Sequence, residues 1–270
     1  MEVKSYSLGN IARIFLGNRQ EFIHLSFNDH AILLSSDHSQ VNYPYQNIVG
    51  NIELKDGQIW SELSWKLSND TLIKFDWINK KSAKQLQADI NLEIHKYYKK
   101  FFKEASQQIV DVFRQLEGLY KQDHYLRYSN TQDWLESNRN IKSLLAREER
   151  SKYLDKQTNR YADELAEFYS ETEECRRERN ELYVKNKKEA YKDYFDQLES
   201  NPLTEAQRNA CIENEDANLV LAGAGTGKTS TIVGKAGYLI ETDSAQPNEI
   251  LMLAFARKAA EEMEERIENK

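Results

Sequence analysis

Between about Glu21 and Trp77 hydrophobic and polar residues alternate with a period close to two. EFIHLSF, AILLSS, NIVGNIEL, GQIWSELSWKL and TLIKFDWI are short runs rich in β-branched and aromatic residues, the composition of strands on a pleated, half-buried surface. Asn28-Asp29, Lys55-Asp56-Gly57 and Ser68-Asn69-Asp70 separate the runs with turn-forming residues, so the pattern predicts an antiparallel meander. Strict alternation cannot put Trp60, Leu63, Trp65 and Leu67 on one face, which predicts a bulge or twist near Ser61–Ser64. Near Asn79 the period lengthens. Leu86, Ile90, Ile94, Tyr97 and Phe101 recur at spacings of three and four, the stripe of a helix that covers the open side of the sheet.

From about Lys80 to Glu199 the pattern is helical and strongly charged. The first helix is expected to continue through Ile109, Phe113 and Leu116 to about Tyr120; Asp123 to Thr131 reads as a connection, and a second helical pattern runs from Trp134 towards Leu198. Tyr161, Leu165, Phe168, Thr172, Cys175, Arg179 and Leu182 keep an alternating four–three spacing, the seam of a coiled-coil hairpin that Thr172 and Arg179 weaken. CRRERNELYVKNKKEA reads first as the solvated face of this stalk. The lysines and aromatics of Lys80–Glu104 suit phosphate contact and base stacking, but core aromatics with surface lysines explain them as well. Asn201-Pro202 ends the helical region, since proline disfavours helix in the residue before it. Leu203 to Lys270 then reads as helix, strand, glycine-rich loop, helix, strand (Ile250–Phe255) and a charged helix (Arg257–Asn269), an α/β rhythm.

At 270 residues the chain is long enough for more than one core. Its net charge of −7 argues against a general nucleic-acid coat, though not against a local basic groove. Cys175 and Cys211 lack metal-ligand spacing and a disulfide framework, and read as free thiols. His24, His30, His38, His95 and His124 keep no ligand rhythm, so no metal site is expected among them. With no basic-then-apolar leader and no apolar run of spanning length, a cytoplasmic protein without membrane contact is expected.

The chemistry lies in NLVLAGAGTGKTSTIV, Asn218 to Val233. An apolar run, a glycine-rich turn and a helix start form the sequence of a phosphate-binding loop. Gly223, Gly225 and Gly227 permit backbone angles that bulkier residues resist, so successive N–H groups can curl around phosphate oxygens. The helix starting at Lys228 or Thr229 points its positive end at the same anion. Ala222, Gly223, Ala224, Gly225, Thr226, Gly227, Lys228, Thr229 and Ser230 are therefore the candidate ATP ligands. Lys228 would neutralise the β/γ-phosphates, and Thr229 would coordinate Mg²⁺ through its hydroxyl. A tight strand-to-helix turn without ligand is the plain alternative.

Three ordered motifs make this last region resemble the start of a superfamily-1 helicase motor of the UvrD/Rep type. LTEAQRNAC (Leu203–Cys211) is similar to the family's Q-motif, which implies that Gln207 reads the adenine edge. AGAGTGKT (Ala222–Thr229) is similar to its nucleotide loop. ILMLAFARKAAEEMEERI (Ile250–Ile267) resembles the motif that meets single-stranded DNA, which implies contacts from Phe255, Arg257 and Lys258. Many members carry threonine on both sides of that phenylalanine, where this chain has Ala254 and Ala256. Core packing at a strand end is the other reading of Phe255. The resemblance extends weakly before Pro202, to members with a strand-rich and then helical extension before the motor.

The resulting fold class is multi-domain. An antiparallel β domain resembling the pleckstrin-homology-like fold with its capping helix occupies 1–100, a long helical stalk or hairpin 80–200, and the incomplete start of a P-loop, RecA-like α/β motor 201–270. The likeness implies the N-terminal part of an ATP-dependent DNA helicase moving 3′ to 5′. In that family an acidic pair on a later strand and an arginine from a second lobe follow the region that Lys270 ends, so this chain is expected to bind ATP weakly and not to turn it over. Two strands cannot close an α/β sheet, so exposed apolar surface is expected in 201–270, together with a missing C-terminal motor part, a separate chain being one source. The competing function is an interaction module whose N-terminal domain and stalk dock a protein such as RNA polymerase. Another P-loop class, a transporter or recombination ATPase, fits less well with Gln207 before the loop and AFARKAAEEM after it.

Overall fold

A computed structural model describes residues 4–8, 22–199, 201–223 and 225–268. Glu21, Ala224 and Asn269, on which parts of the sequence reading fall, lie outside the described residues. The chain forms two compact units, one from Met1–Gln108 and Arg147–Asn159, the other from Ile109–Ala146 and Arg160–Lys270.

The first unit holds two antiparallel sheets. Strands β1 (Lys4–Ser7), β2 (His24–Phe27), β3 (Ala31–Ser35) and β4 (Gln40–Pro44) pair in sequence order, as do β5 (Ile48–Asp56), β6 (Trp60–Leu67) and β7 (Leu72–Asn79). Leu25, Phe27, Ile32 and Leu34 bury the apolar side of the first sheet, and Leu63, Trp65, Phe75 and Ile78 that of the second. The alternation missed β1 and β4. KSYS and QVNYP are edge strands without a buried face, and only their pairing reveals them. The β6–β7 register shifts between Ser61 and Leu63, where the crowded Trp60–Leu67 pattern requires a bulge.

Helix α1 (Lys80–Lys121) begins directly after β7. Ala83, Leu86, Ile90, Ile94, Tyr98 and Phe102 are buried along it, so the stripe turns one residue later than the sequence reading placed it: Tyr98 and Phe102 enter the core, and Tyr97 and Phe101 are half-buried. A pure i+4 step from Ile94 accounts for the difference. The Tyr98 hydroxyl reaches the carbonyls of Ile48 at 2.9 Å and Tyr45 at 3.1 Å. A second anchor lies where the β5–β6 register shifts between Val49 and Glu53. There Asn91 Oδ1 accepts from the Ile52 N–H at 2.8 Å, and Gln87 donates to the Ile52 carbonyl at 2.9 Å. Helix side chains thus satisfy backbone groups that the irregular ladder leaves over. The short helix Arg150–Tyr153 also belongs to this unit, with the Tyr153 ring stacked 5.8 Å from Tyr98 and from Phe102.

The second unit is helical. The connection after α1 is shorter than expected, because α2 starts at Tyr128 and runs to Ser137. After α3 (Lys142–Leu145), and past the first unit's helix α4 (Arg150–Tyr153), the segment expected as one helix breaks at Glu171 into α5 (Lys156–Ser170) and α6 (Thr172–Ala190), with α7 (Lys192–Gln197) beyond. Tyr161 stacks on Phe113 at 4.1 Å and Phe168 meets Trp134 edge-on at 5.2 Å, but the seam ends there: Leu182 is exposed, while Asn180 and Val184 are buried. The break at Glu171 resets the phase. Arg179, read as a flaw in the seam, donates to the carbonyls of Gln122 and Tyr120 and caps the end of α1.

Helices α8 (Glu205–Ile212), α9 (Lys228–Glu241) and α10 (Arg257–Glu268) complete this unit. Val184, Phe195, Leu198, Leu203, Cys211, Ile212 and Tyr238 form one buried cluster. The two strands expected around Leu219–Leu221 and at Ile250–Phe255 are not formed: neither segment joins a ladder among the described residues. Leu219 and Leu221 are 85% and 87% exposed, and Leu251 and Leu253 are each 82% exposed. Apolar composition alone makes no strand, since its N–H and C=O groups need a neighbouring edge. A groove of about 850 Å³ lined by Val233, Ala236, Ile240, Met252 and Met263 adds to the uncovered apolar surface. Among the described residues no helix is long and apolar enough to cross a membrane.

Candidate nucleotide site

Helix α8 starts with a capping box. The Thr204 hydroxyl accepts from the Gln207 N–H at 3.4 Å, and Gln207 Oε1 accepts from the Thr204 N–H at 2.8 Å. This leaves the Gln207 amide nitrogen pointing away from its own helix, and it donates to the Thr226 carbonyl at 3.1 Å. Two segments nineteen residues apart are thereby joined.

The loop before α9 is shaped by its glycines. Gly225 and Gly227 have φ of +73° and +85°, the left-handed region where a Cβ is costly. A Cβ on Gly227 would also lie 2.4 Å from Gln207 Nε2. The Thr226 hydroxyl donates to the Gly223 carbonyl at 2.9 Å and closes the turn. Gly227 is the N-cap of α9, and no side chain caps that terminus. The first-turn N–H groups of α9 and its dipole therefore face an anion-favouring position. Lys228 folds over the loop, donating to the carbonyls of Gly223 at 2.8 Å and Ala222 at 3.2 Å. An exposed ammonium held against weak carbonyl acceptors is placed to exchange them for a stronger anionic partner. Thr229 and Ser230 follow on the same turn.

Of the expected site residues, hydrogen bonds draw Gln207, Ala222, Gly223, Thr226 and Lys228 into one cluster around Gly225 and Gly227. These groups fit a polyphosphate: backbone donors, one ammonium and a hard hydroxyl oxygen at Thr229 suited to Mg²⁺. Ala224 lies outside the described residues. Phe255 is fully exposed. Arg257 pairs with Glu261 at 2.9 Å at the start of α10, and Lys258 is exposed beside it.

Two features escaped the sequence reading. Lys235, on α9, donates to the carbonyls of Ala210, Cys211 and Glu213 at 3.2, 3.5 and 2.5 Å, with burial pushing its ammonium pKa down. Its signal was a lone charge in the apolar run TIVGKAGYLI. Beyond α8, Glu215 accepts from the Tyr128 N–H at 2.6 Å, and Asp216 from the Ser129 N–H and hydroxyl at 2.8 and 2.7 Å. These carboxylates cap α2 from a distant loop, a pairing that no local pattern announces.

Comparison with known proteins gives this geometry a class. Residues 203–270 match the UvrD/REP helicase N-terminal domain. Residues 1–163, more than half of the chain, match the family described as DNA helicase IV / RNA helicase N terminal, and the chain belongs to that family. DNA helicase IV of Escherichia coli (strain K12) is 48% identical over 100 residues, which cover 37% of this chain and 15% of that protein. DNA helicase II of Rickettsia typhi is 42% identical over 67 residues, 25% of this chain and 10% of the relative. The chain thus matches only a small part of these relatives' length. No solved structure matches it.

Proposed function

We propose that this chain is the N-terminal part of an ATP-dependent DNA helicase moving 3′ to 5′, with Mg²⁺-ATP held at Ala222–Ser230. The observation that carries the reading is the Gln207–Thr226 bond at 3.1 Å, which sets an amide beside a glycine loop that Lys228 spans. An amide can read a base edge by paired donor and acceptor contacts. The loop N–H groups and Lys228 would hold the phosphates, and Thr229 the Mg²⁺, which when bound neutralises phosphate charge. Exposed Phe255 would stack on single-stranded DNA, with Arg257 and Lys258 on its phosphates. After Phe255 the sequence has no apolar run ending in Asp-Glu, so binding without appreciable turnover is the activity proposed for these 270 residues. The rest of a motor would cover the apolar segments around Leu219 and Leu251.

Thermal unfolding with and without Mg²⁺-ATP tests this, with Lys228→Ala as the control. Ligand at about a hundred times its dissociation constant adds roughly 2.7 kcal/mol to the unit that binds it. A rise in the midpoint that Lys228→Ala abolishes is expected. No rise, or an equal rise in the variant, would refute the reading and turn attention to the N-terminal sheets and helices as a docking module.

A further inference from the structure

The geometry points to Lys235 as a positioning residue that fixes Gln207 for the nucleobase; the inference rests on the nucleotide reading of the loop. Polar side-chain bonds tie α8 to α9 and the loop before it at two separated places. At one, the Gln207 amide nitrogen holds the Thr226 carbonyl just before α9 begins. At the other, Lys235 holds the carbonyls of Ala210, Cys211 and Glu213 at the far end of α8. These are carbonyls that a helix end leaves without intrahelical partners, and they carry its negative dipole end. Seven residues, two turns or about 10 Å, separate Lys235 from Lys228 along α9. One helix therefore carries both the phosphate lysine and the lysine that grips the base-reading helix.

Packing between the two helices leaves little slack. A Cβ on Gly234 would lie 3.2 Å from Cys211 Sγ on α8, and 2.7 Å from Leu198 Cδ2 just after α7. The Cys211 thiol, its pKa pushed up to about 12 by burial, lies 3.4 Å from the Thr231 carbonyl. Close contact fixes the spacing of the helices, while the ammonium fixes how far α8 slides and turns. A slide moves the Gln207 amide away from Thr226, whereas the Thr226–Gly223 turn and the Lys228 contacts to Gly223 and Ala222 are made within the loop and α9. Lys235 should therefore govern the part of affinity that comes from the base and spare the part that comes from phosphate.

The test is titration of the full 270-residue chain with Mg²⁺-ATP and, separately, Mg²⁺-tripolyphosphate, which has no base. Lys235→Met should weaken Mg²⁺-ATP about tenfold, the scale of one lost hydrogen-bond contact. Tripolyphosphate affinity should stay within about twofold, and Lys235→Arg should recover most of the ATP loss. In a Gln207→Ala background, Lys235→Met should change ATP affinity no further, since both act through one amide. If Lys235→Met does not fold, Lys235→Gln, which keeps two of the three N–H donors, should show the same selective loss at smaller size. Equal loss of both ligands, or additive loss with Gln207→Ala, would reduce Lys235 to a structural role and overturn the inference. Wild-type protein that binds ATP no tighter than tripolyphosphate would overturn it through the Gln207 reading, and absence of both would count against the loop itself.

Discussion

Replacing Gly227 by alanine strains the loop in two ways. Its φ of +85° lies in the left-handed region, where a Cβ costs roughly 1–2 kcal/mol. The new methyl would also meet Gln207 Nε2 at 2.4 Å. That amide is the end of a flexible side chain, so it would swing away rather than force the backbone, giving up its 3.1 Å bond to Thr226. A hydrogen bond of this kind contributes about 1 kcal/mol. The strained loop and the displaced base-reading amide together weaken Mg²⁺-ATP binding by about 2–3 kcal/mol, a fall in affinity of roughly 30- to 150-fold. Because the loop is exposed, the thermal midpoint of the free protein should move little. Fluorescence anisotropy of a labelled ATP analogue measures the affinity. Gly50→Ala is the control: Gly50 has φ +75° and nothing within 4 Å of where its Cβ would stand, so it carries the same backbone strain with no link to Gln207. ATP affinity within about twofold of wild type in Gly227→Ala, or an equal loss in Gly50→Ala, would refute the reasoning.

In the first unit, Tyr98→Phe removes the donor to the Ile48 and Tyr45 carbonyls and should cost about 1–2 kcal/mol, whereas Tyr97→Phe should stay within about 0.5 kcal/mol. Urea unfolding followed by tryptophan fluorescence, three of whose four sources (Trp60, Trp65 and Trp77) lie in this unit, separates them, and equal midpoints would place the wrong tyrosine in the core. Hydrogen bonds from the Ser129 hydroxyl and N–H hold the Asp216 carboxyl below its ordinary value of 3.8. A depressed folded pKa contributes stability that is present above 3.8 and lost as pH falls through the folded value. Asp216→Asn should therefore be less stable than wild type at about pH 6, well above the ordinary carboxylate range, and converge with it towards acid, as urea midpoints at several pH values would show. A gap that stays constant with pH would contradict that.

What the sequence discloses depends on how local the cause is. The glycine turn and the start of α9 were legible because each needs only its own few residues, glycines at strained angles and a lysine at the helix start, whereas Gln207 stood out only through the family resemblance. The strands of the two sheets were legible where one face is buried, and KSYS and QVNYP were not, because an edge strand is defined by its neighbour. The helix stripe was found with its phase one residue early after Ile94, since Tyr97-Tyr98 and Phe101-Phe102 offer two aromatic registers that only tertiary contact decides. Leu219–Leu221 and Leu251–Leu253 have strand composition without a ladder among the described residues. Arg179 read as a flaw in a helical seam, and Lys235 drew no reading at all. Each instead caps the end of a helix distant in sequence, which periodicity cannot register.

The central claim is that the loop before α9 and the Gln207 helix together hold a nucleotide. Hydrogen exchange read by mass spectrometry, with and without Mg²⁺-ATP, locates such binding on the chain most directly. Slower exchange is predicted in peptides covering residues 204–212 and 222–231, in wild type and not in Lys228→Ala. Unchanged exchange there, or protection confined to the N-terminal strands, would contradict the account.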